Sequence, residues 1–176
     1  MSLQVWRHPK PRGAAGLCVG RIDLAVDRRK AKRLAHRIRA HARRQGLARD
    51  VVTSGLQRSA SVGRALAGWG WRHSVDPRLD EFDFGAWDGK PWAEVSRDAI
   101  DAWSQAFATH RPGGGESVAG LLERCRAFMA EERECCVVGH AGWISAARWL
   151  QANGEEAPRA STWPAALGYG RHIVLG

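Results

Sequence analysis

Two arginines and two histidines occupy positions from which they could bind one anion together. They are Arg7 and His8 at the end of a predicted strand, Arg58 early in a helical segment, and His140 just before another helix. A guanidinium group binds two phosphate oxygens in a fixed fork, and the free amide groups of a helix N-terminus bind the same oxygens. The set therefore predicts a phosphate-binding site.

A histidine beside such cations can attack phosphorus through a ring nitrogen, which divides phosphoryl transfer into two steps with a covalent intermediate. The departing alkoxide then needs a proton, and Asp80, Glu81 and Asp83 are candidates to supply it. They lie in an irregular segment, residues 79–92, called here the acid loop. Spacing alone leaves open which carboxyl group acts, and whether His8 is only a hydrogen-bonded polar residue.

The hydrophobic pattern predicts the elements that position these side chains. Apolar runs predict strands at 3–7, 51–54, 73–75, 135–139 and 171–175, and helical spacing predicts helices at 28–44, 56–66, 96–110, 117–132 and 143–152. This alternation indicates an α/β three-layer sandwich with a largely parallel central sheet and helices on both faces. Ligands bind beyond the carboxyl ends of such strands, where His8, Ser54 and His140 are expected.

Length and composition narrow the class of protein. The 176 residues suit a single domain, 1–176, and 44% hydrophobic with 26% charged residues is an ordinary globular mixture. No run of about 18 apolar residues exists and residues 1–6 lack a signal-peptide pattern, so we expect a cytoplasmic protein without a membrane partner. The four cysteines show no zinc spacing and are expected to be reduced, and the other histidines fit no metal-ligand pattern.

The net charge of +9 is concentrated in one segment. Nine of the 27 Lys and Arg residues, and no acid, lie within residues 28–44, so the rest of the chain has 18 basic and 18 acidic residues. A polyanion-binding module, for nucleic acid or an anionic membrane, is therefore the competing hypothesis from another class. The segment lacks interleaved aromatic residues and any reading motif, which argues against nucleic acid as a partner and favours a solvated face.

Five motifs resemble, in the same order, those of the histidine phosphatase (phosphoglycerate mutase-like) superfamily. They are residues 5–8 (VWRH), 54–58 (SGLQR), 79–89 (LDEFDFGAWDG), 112–117 (PGGGES) and 137–142 (VVGHAG), which together extend over most of the chain. The resemblance implies a phosphoglycerate mutase-like fold. It also implies hydrolysis of a small-molecule phosphate monoester through a phosphohistidine, with no metal or other cofactor.

The resemblance assigns roles to five residues. His8 is the implied nucleophile, and Glu81 is implied to protonate the leaving group and later to activate water. The transferring phosphoryl group is implied to be bound by Arg7, Arg58 and His140. Two guanidinium groups and an imidazole would then supply the charge that a metal cation supplies in other phosphatases.

Within the superfamily, residues 9–11, 16–23 and 85–92 look most like the α-ribazole phosphatases of cobalamin synthesis. Those enzymes remove the 5′-phosphate of α-ribazole phosphate or its adenosylcobalamin counterpart. The mutase branch has Gly-Glu after the nucleophilic histidine, where this chain has Pro9 and Lys10, so mutase activity is disfavoured.

The predicted substrate-binding residues are Gly20, Arg21, Ala141 and Trp87. A broad small-molecule or sugar phosphatase of the same fold is the alternative, since the shared motifs contact only the phosphoryl group. The oligomeric state is left open.

Overall fold

A central five-stranded sheet organises the protein. The computed structural model describes residues 2–131 and 134–176, and its strands are β1 (Leu3–Arg7), β2 (Asp50–Thr53), β3 (Arg72–Val75), β4 (Cys136–Gly139) and β5 (His172–Leu175). Their order in the sheet is β3-β2-β4-β1-β5. β5 pairs antiparallel with β1, and the other neighbouring strands pair in parallel. The predicted largely parallel sheet is therefore confirmed.

Helices cover both faces of this sheet. They are α1 (Arg28–Gln45), α2 (Gln57–Ala67), α3 (Arg97–Gln105), α4 (Val118–Met129) and α5 (Ala141–Asn153). α1 and α2 bury apolar side chains against one face, and α4 and α5 do so against the other. α3 lies beside the acid loop, where Trp103 stacks on Phe82. The three-layer α/β fold is thus confirmed.

The basic segment forms α1 as its pattern predicts. The Asp27 side chain accepts hydrogen bonds from the first free amides of the helix, and Gly46 ends it in the left-handed conformation. The apolar positions at helical spacing face the sheet and are buried: Ala31, Leu34, Ala35, Ile38 and Ala42. The basic side chains are consequently directed away from the sheet.

Some predicted helix limits are wrong, and tertiary packing explains the clearest case. The helix predicted at 96–110 ends at Gln105, where the chain turns Phe107 into the core against Trp103 and Trp163. α5 begins at Ala141 and not at residue 143, and α4 ends at Met129. Residue 132, the predicted end of α4, lies outside the described residues.

All four cysteines are buried, and none of them forms a disulfide within the described residues, as expected. In the described part of the chain no helix combines the length and apolar character needed to cross a membrane.

The acid loop is ordered by a tight turn at residues 112–117. Gly113 has a φ of +61°, and a Cβ at this position would lie 2.2 Å from the backbone oxygen of Phe84. In the same turn the Glu116 amide donates to the Asp83 oxygen at 2.8 Å. Two backbone segments therefore pack directly against each other, with no space for a side chain between them.

We expect Gly113→Ala to destabilise the protein more than Gly46→Ala. Both glycines have left-handed backbones, which costs an alanine about 1–2 kcal/mol, but a Cβ at Gly46 meets open space. The Gly113 variant adds a backbone clash, so its total loss should reach roughly 3 kcal/mol. Urea unfolding of both variants measures the difference, and equal losses would contradict this close packing.

Candidate active site

Three neighbouring parallel strands end at the candidate site. Arg7 is paired with Gly139 in the register of β1 and β4, so His8 and His140 leave the sheet side by side. The His8 amide donates to the Gly139 oxygen at 3.1 Å, and the two imidazole centroids are 4.9 Å apart. Ser54 follows β2 on the other side of β4. Strand pairing alone therefore brings these three side chains together.

The His8 ring is in the neutral form that can attack phosphorus. It is 3% exposed, and its Nδ1 lies 2.7 Å from the carbonyl oxygen of Pro9. Because a carbonyl oxygen can only accept, Nδ1 carries the proton and Nε2 keeps its lone pair. Burial, together with the positive charges of Arg58 and Arg7, lowers the pKa of His8 to about 3.

Two guanidinium groups, of the partly buried Arg7 and the buried Arg58, lie beside this ring. Arg7 donates to the Leu167 oxygen at 2.6 Å and lies over the ring of Tyr169, 3.8 Å from its centroid. Arg58 donates to the backbone oxygens of Ile22, at 2.6 Å, and Gly20. The Nε atoms of both arginines are buried and without a hydrogen-bond partner among the described residues. Because carbonyl groups carry no net charge, the site has positive charge left to bind an anion.

His140 is oriented by Ser54. Its Nε2 lies 2.7 Å from the Ser54 hydroxyl oxygen, which also accepts from the Leu56 amide at 3.3 Å. Burial and the nearby positive charges lower the pKa of His140, so its ring is neutral. Nδ1 of the same ring is buried and has no partner in the described chain. The tautomer in which Nε2 accepts from the serine carries its proton on Nδ1 and offers a third donor to a bound anion. The sequence predicted Ser54 at this ligand-binding end of the sheet but assigned it no role, although it lies in the second of the five motifs.

Glu81 is the acid-loop carboxyl group that reaches this edge. It is 6% exposed, and its Oε1 accepts from the amides of Phe82 and Gly142, each at 2.9 Å. A Cβ on Gly142 would lie 2.5 Å from that oxygen, so the contact requires glycine there. Burial raises the pKa of Glu81 against the lowering effect of its hydrogen bonds and of Arg58. Asp83, by contrast, bonds within the loop to the Gly85 amide.

A partly buried ion pair holds the acid loop in place. Arg124 pairs with Glu116 at 2.6 Å and donates to the backbone oxygens of Arg78, Asp80 and Glu81, at 2.8, 2.6 and 3.2 Å. The Arg124 side chain thus fixes three backbone carbonyl groups in residues 78–81, the segment that ends at Glu81. The sequence signal for this role was Glu116 in the fourth motif.

The predicted substrate-binding residues lie on different segments of the chain. Ala141 directly follows His140, and Arg21 is exposed on the loop whose Gly20 oxygen binds Arg58. A Cβ on Gly20 would lie 2.4 Å from the Phe82 oxygen, which explains the glycine by close packing.

Trp87 packs edge-on against Trp92 and Trp103, with centroids 6.4 and 6.1 Å away, in an aromatic cluster of the acid loop. The aromatic ring beside His8 is instead Tyr169, at 5.6 Å, which was not predicted from the sequence. The sequence signal for a role of Tyr169 in the site is weak, because this residue lies outside the five motifs.

Residues 3–167 match the histidine phosphatase superfamily (branch 1), and the chain belongs to this family. A glucosyl-3-phosphoglycerate phosphatase of Mycobacterium tuberculosis (strain CDC 1551 / Oshkosh) is 33% identical over 138 residues, 68% of this chain and 60% of that protein. A bifunctional protein of Mycobacterium tuberculosis (strain ATCC 25618 / H37Rv) is 38% identical over 108 residues, 57% of this chain and 27% of that protein. The chain thus matches less than two thirds of the length of either relative.

Solved structures agree with this assignment. A mycobacterial hydrolase, named hydrolase 2, superposes with a TM-score of 0.79 at 25% identity, covering 98% of this chain and 80% of that one. The mycobacterial glucosyl-3-phosphoglycerate phosphatase complexed with VO3 gives a TM-score of 0.78 at 25% identity, covering 99% and 92%. The predicted family and fold are confirmed, and the α-ribazole substrate stays a prediction.

Lowering the pH from about 6.5 to about 3 is expected to destabilise the fold partly through His8. The unfolded histidine takes up a proton below its ordinary pKa, whereas the buried ring stays neutral, so the free energy of unfolding rises with pH across this window. His8→Asn removes this contribution. Denaturant unfolding at several pH values should therefore show a shallower pH dependence for His8→Asn than for the unmodified protein or for His110→Asn. Equal slopes would count against a neutral buried His8.

Proposed function

We propose that the chain is a phosphatase that hydrolyses a small-molecule phosphate monoester through a phosphohistidine at His8. One observation carries the proposal. The neutral His8 ring donates its Nδ1 proton to the Pro9 oxygen. It lies beside two guanidinium groups, one buried and one partly buried, which carbonyl oxygens and not carboxylates orient. A phosphoryl group would supply the negative charge that this arrangement lacks.

In the first step the Nε2 lone pair of His8 attacks phosphorus as the ester P–O bond breaks. The imidazole becomes positively charged, and the Pro9 oxygen stabilises the Nδ1–H of that cation. Arg7, Arg58 and His140 bind the non-bridging oxygens as charge moves onto them. Glu81, whose pKa burial raises, gives its proton to the leaving oxygen.

In the second step Glu81, now a carboxylate, takes a proton from a water molecule that attacks the phosphohistidine. The N–P bond breaks, inorganic phosphate leaves, and His8 and Glu81 return to their starting protonation states. The two guanidinium groups serve both steps, which is the reason to expect turnover without added metal.

The finer proposal for the substrate is α-ribazole 5′-phosphate or the corresponding adenosylcobalamin phosphate. Its support is the similarity of residues 9–11, 16–23 and 85–92 to the α-ribazole phosphatases. A sugar phosphatase is the second candidate, favoured by the 33% identity to a glucosyl-3-phosphoglycerate phosphatase. The groups that contact the phosphoryl moiety would be the same in both, so the leaving group decides between them.

Two esters, α-ribazole 5′-phosphate and the sugar phosphate glucosyl-3-phosphoglycerate, are assayed for phosphate release in excess chelator. The assay tests the reaction and the substrate separately. We expect turnover of at least one ester, its loss in His8→Ala, and acid-labile phosphate on the protein after rapid denaturation of the unmodified enzyme only. His110→Ala, which changes a histidine outside the site, should retain both activity and labelling. Turnover or labelling that survives in His8→Ala would refute the mechanism. Turnover of the sugar phosphate alone would refute the α-ribazole assignment and leave the mechanism intact.

Glu81→Gln should slow esters with poor leaving groups more than activated aryl phosphates. Loss of a positioned proton donor typically costs about 10²–10⁴-fold, and an activated leaving group needs little protonation. The fall in kcat/KM at high pH, caused by ionisation of Glu81, should disappear in the same variant. A uniform loss across leaving groups would argue against Glu81 as the donor.

A further inference from the structure

A tryptophan from another part of the chain lies against the basic face of α1. Trp69 follows α2, and its ring centroid is 4.9 Å from the guanidinium carbon of Arg39 and 4.3 Å from the ring centroid of His36. The sequence disfavours nucleic acid as a partner because residues 28–44 contain no aromatic residue. The fold supplies that aromatic residue across a gap of some twenty-five positions in the chain.

The basic residues nearest this tryptophan form one continuous stripe on α1. Their spacing of four, four, three and four residues puts them on the same side of a helix. They are Arg28, Lys32, His36, Arg39 and Arg43. At 1.5 Å of rise per residue the stripe is about 22 Å long. The stripe borders the buried side of the helix, so α2 and the segment that follows it form the opposite wall.

Two cavities lie along this stripe, and Trp69 lines both. One, of about 610 Å³, is lined by Arg39, Arg43 and Arg49. The other, of about 420 Å³, is lined by Arg28, Lys32 and Arg64. The Trp69 groove, as we call it, consists of the stripe, the two opposing arginines Arg49 and Arg64, and the tryptophan between the cavities.

The charge of the Trp69 groove is not neutralised by the protein. None of its six Lys and Arg side chains forms an ion pair with a carboxylate of the described residues. The carboxylates closest in sequence are already paired, Asp27 with Arg12 and Asp50 with Arg72. A polyanion would therefore meet cations on both walls, and no described acidic residue lines either cavity.

The groove is separate from the candidate active site. His8 and His140 follow the carboxyl ends of their strands, whereas Arg49 directly precedes β2 and Arg43 lies in the last turn of α1, at the opposite edge of the sheet. Neither cavity is lined by a residue of the active site. Binding in the groove consequently does not require the phosphatase machinery.

We infer that the Trp69 groove binds single-stranded nucleic acid. A positively charged groove that follows the backbone, with an aromatic ring on which an unpaired base stacks, is the arrangement that binds single strands without sequence preference. A duplex offers its phosphates but no free base face to Trp69. The length of the stripe matches a strand of several nucleotides, and phosphates along the strand pair with cations along the helix.

A labelled single-stranded oligonucleotide without a terminal phosphate tests this, because it presents no monoester to His8. Fluorescence anisotropy across a salt series should show binding whose affinity falls with salt. Arg39→Gln/Arg43→Gln should reduce the magnitude of the log–log salt slope by about 1.4, because each phosphate that a cation neutralises adds about 0.7 to that slope. Trp69→Leu should weaken binding about tenfold or more, because the base can no longer stack on an aromatic ring.

The matched control is Arg33→Gln/Arg44→Gln, which removes the same charge from the same helix outside the stripe and cavities. It should retain most of the affinity. Hydrolysis of an aryl phosphate should be unchanged in all three variants, which shows that each has folded. The inference is overturned if the single strand does not bind, or if both double variants lose the same affinity. It is also overturned if a duplex or inorganic polyphosphate binds as tightly as the single strand and Trp69→Leu does not weaken binding of the single strand.

Discussion

Two guanidinium groups, one buried and one partly buried, are bound by backbone carbonyls and set the constraint on which the candidate site depends. An arginine paired with a carboxylate would be nearly neutral as seen by a ligand, but Arg7 and Arg58 bond to uncharged oxygens contributed by residues 167, 22 and 20. Burial of unpaired charge is costly, and burial lowers the pKa of both groups. Burial lowers the pKa of both histidines, and the positive charge of the arginines lowers it further and offsets part of the burial cost of Glu81. Burial and the two guanidinium charges together thus set the protonation of the site.

The sheet and the placement of His8 could be predicted because they depend on local pattern. The strand at 3–7 is mostly apolar and is ended by the prolines that follow. His8, the next residue, must therefore lie at the carboxyl end of this strand. α1 was equally predictable, since its cap, its apolar spacing and its final glycine agree with one another. Glu81 was different. Residue spacing did not distinguish it from Asp80 and Asp83, and only the family resemblance selected it.

What the sequence did not reveal depends on contacts between distant segments. Glu81 reaches the site because the Gly142 amide lies 2.9 Å away, and Ser54 matters because β2 lies next to β4. Tyr169 lies over Arg7 only after β5 has folded back antiparallel to β1. The end of α3 was misplaced for the same reason, since burial of Phe107 outweighs helical propensity. The residue periodicity within a single segment cannot predict such contacts between segments.

The pairing of β1 with β4 also has a kinetic consequence. Arg7 and Gly139 are neighbours in the sheet although most of the chain separates them, and β2 reaches the site only through β4. Closing the long loop between β1 and β4 costs conformational entropy before the two strands form stabilising contacts. We therefore expect their pairing to be a slow, non-local step of folding. A partly folded chain with α1 and α2 packed on β2 and β3 would have native helices but no place for a phosphoryl group. Catalytic competence therefore requires the completed sheet, and recovery of turnover during refolding would report on the joining of the two ends of the chain.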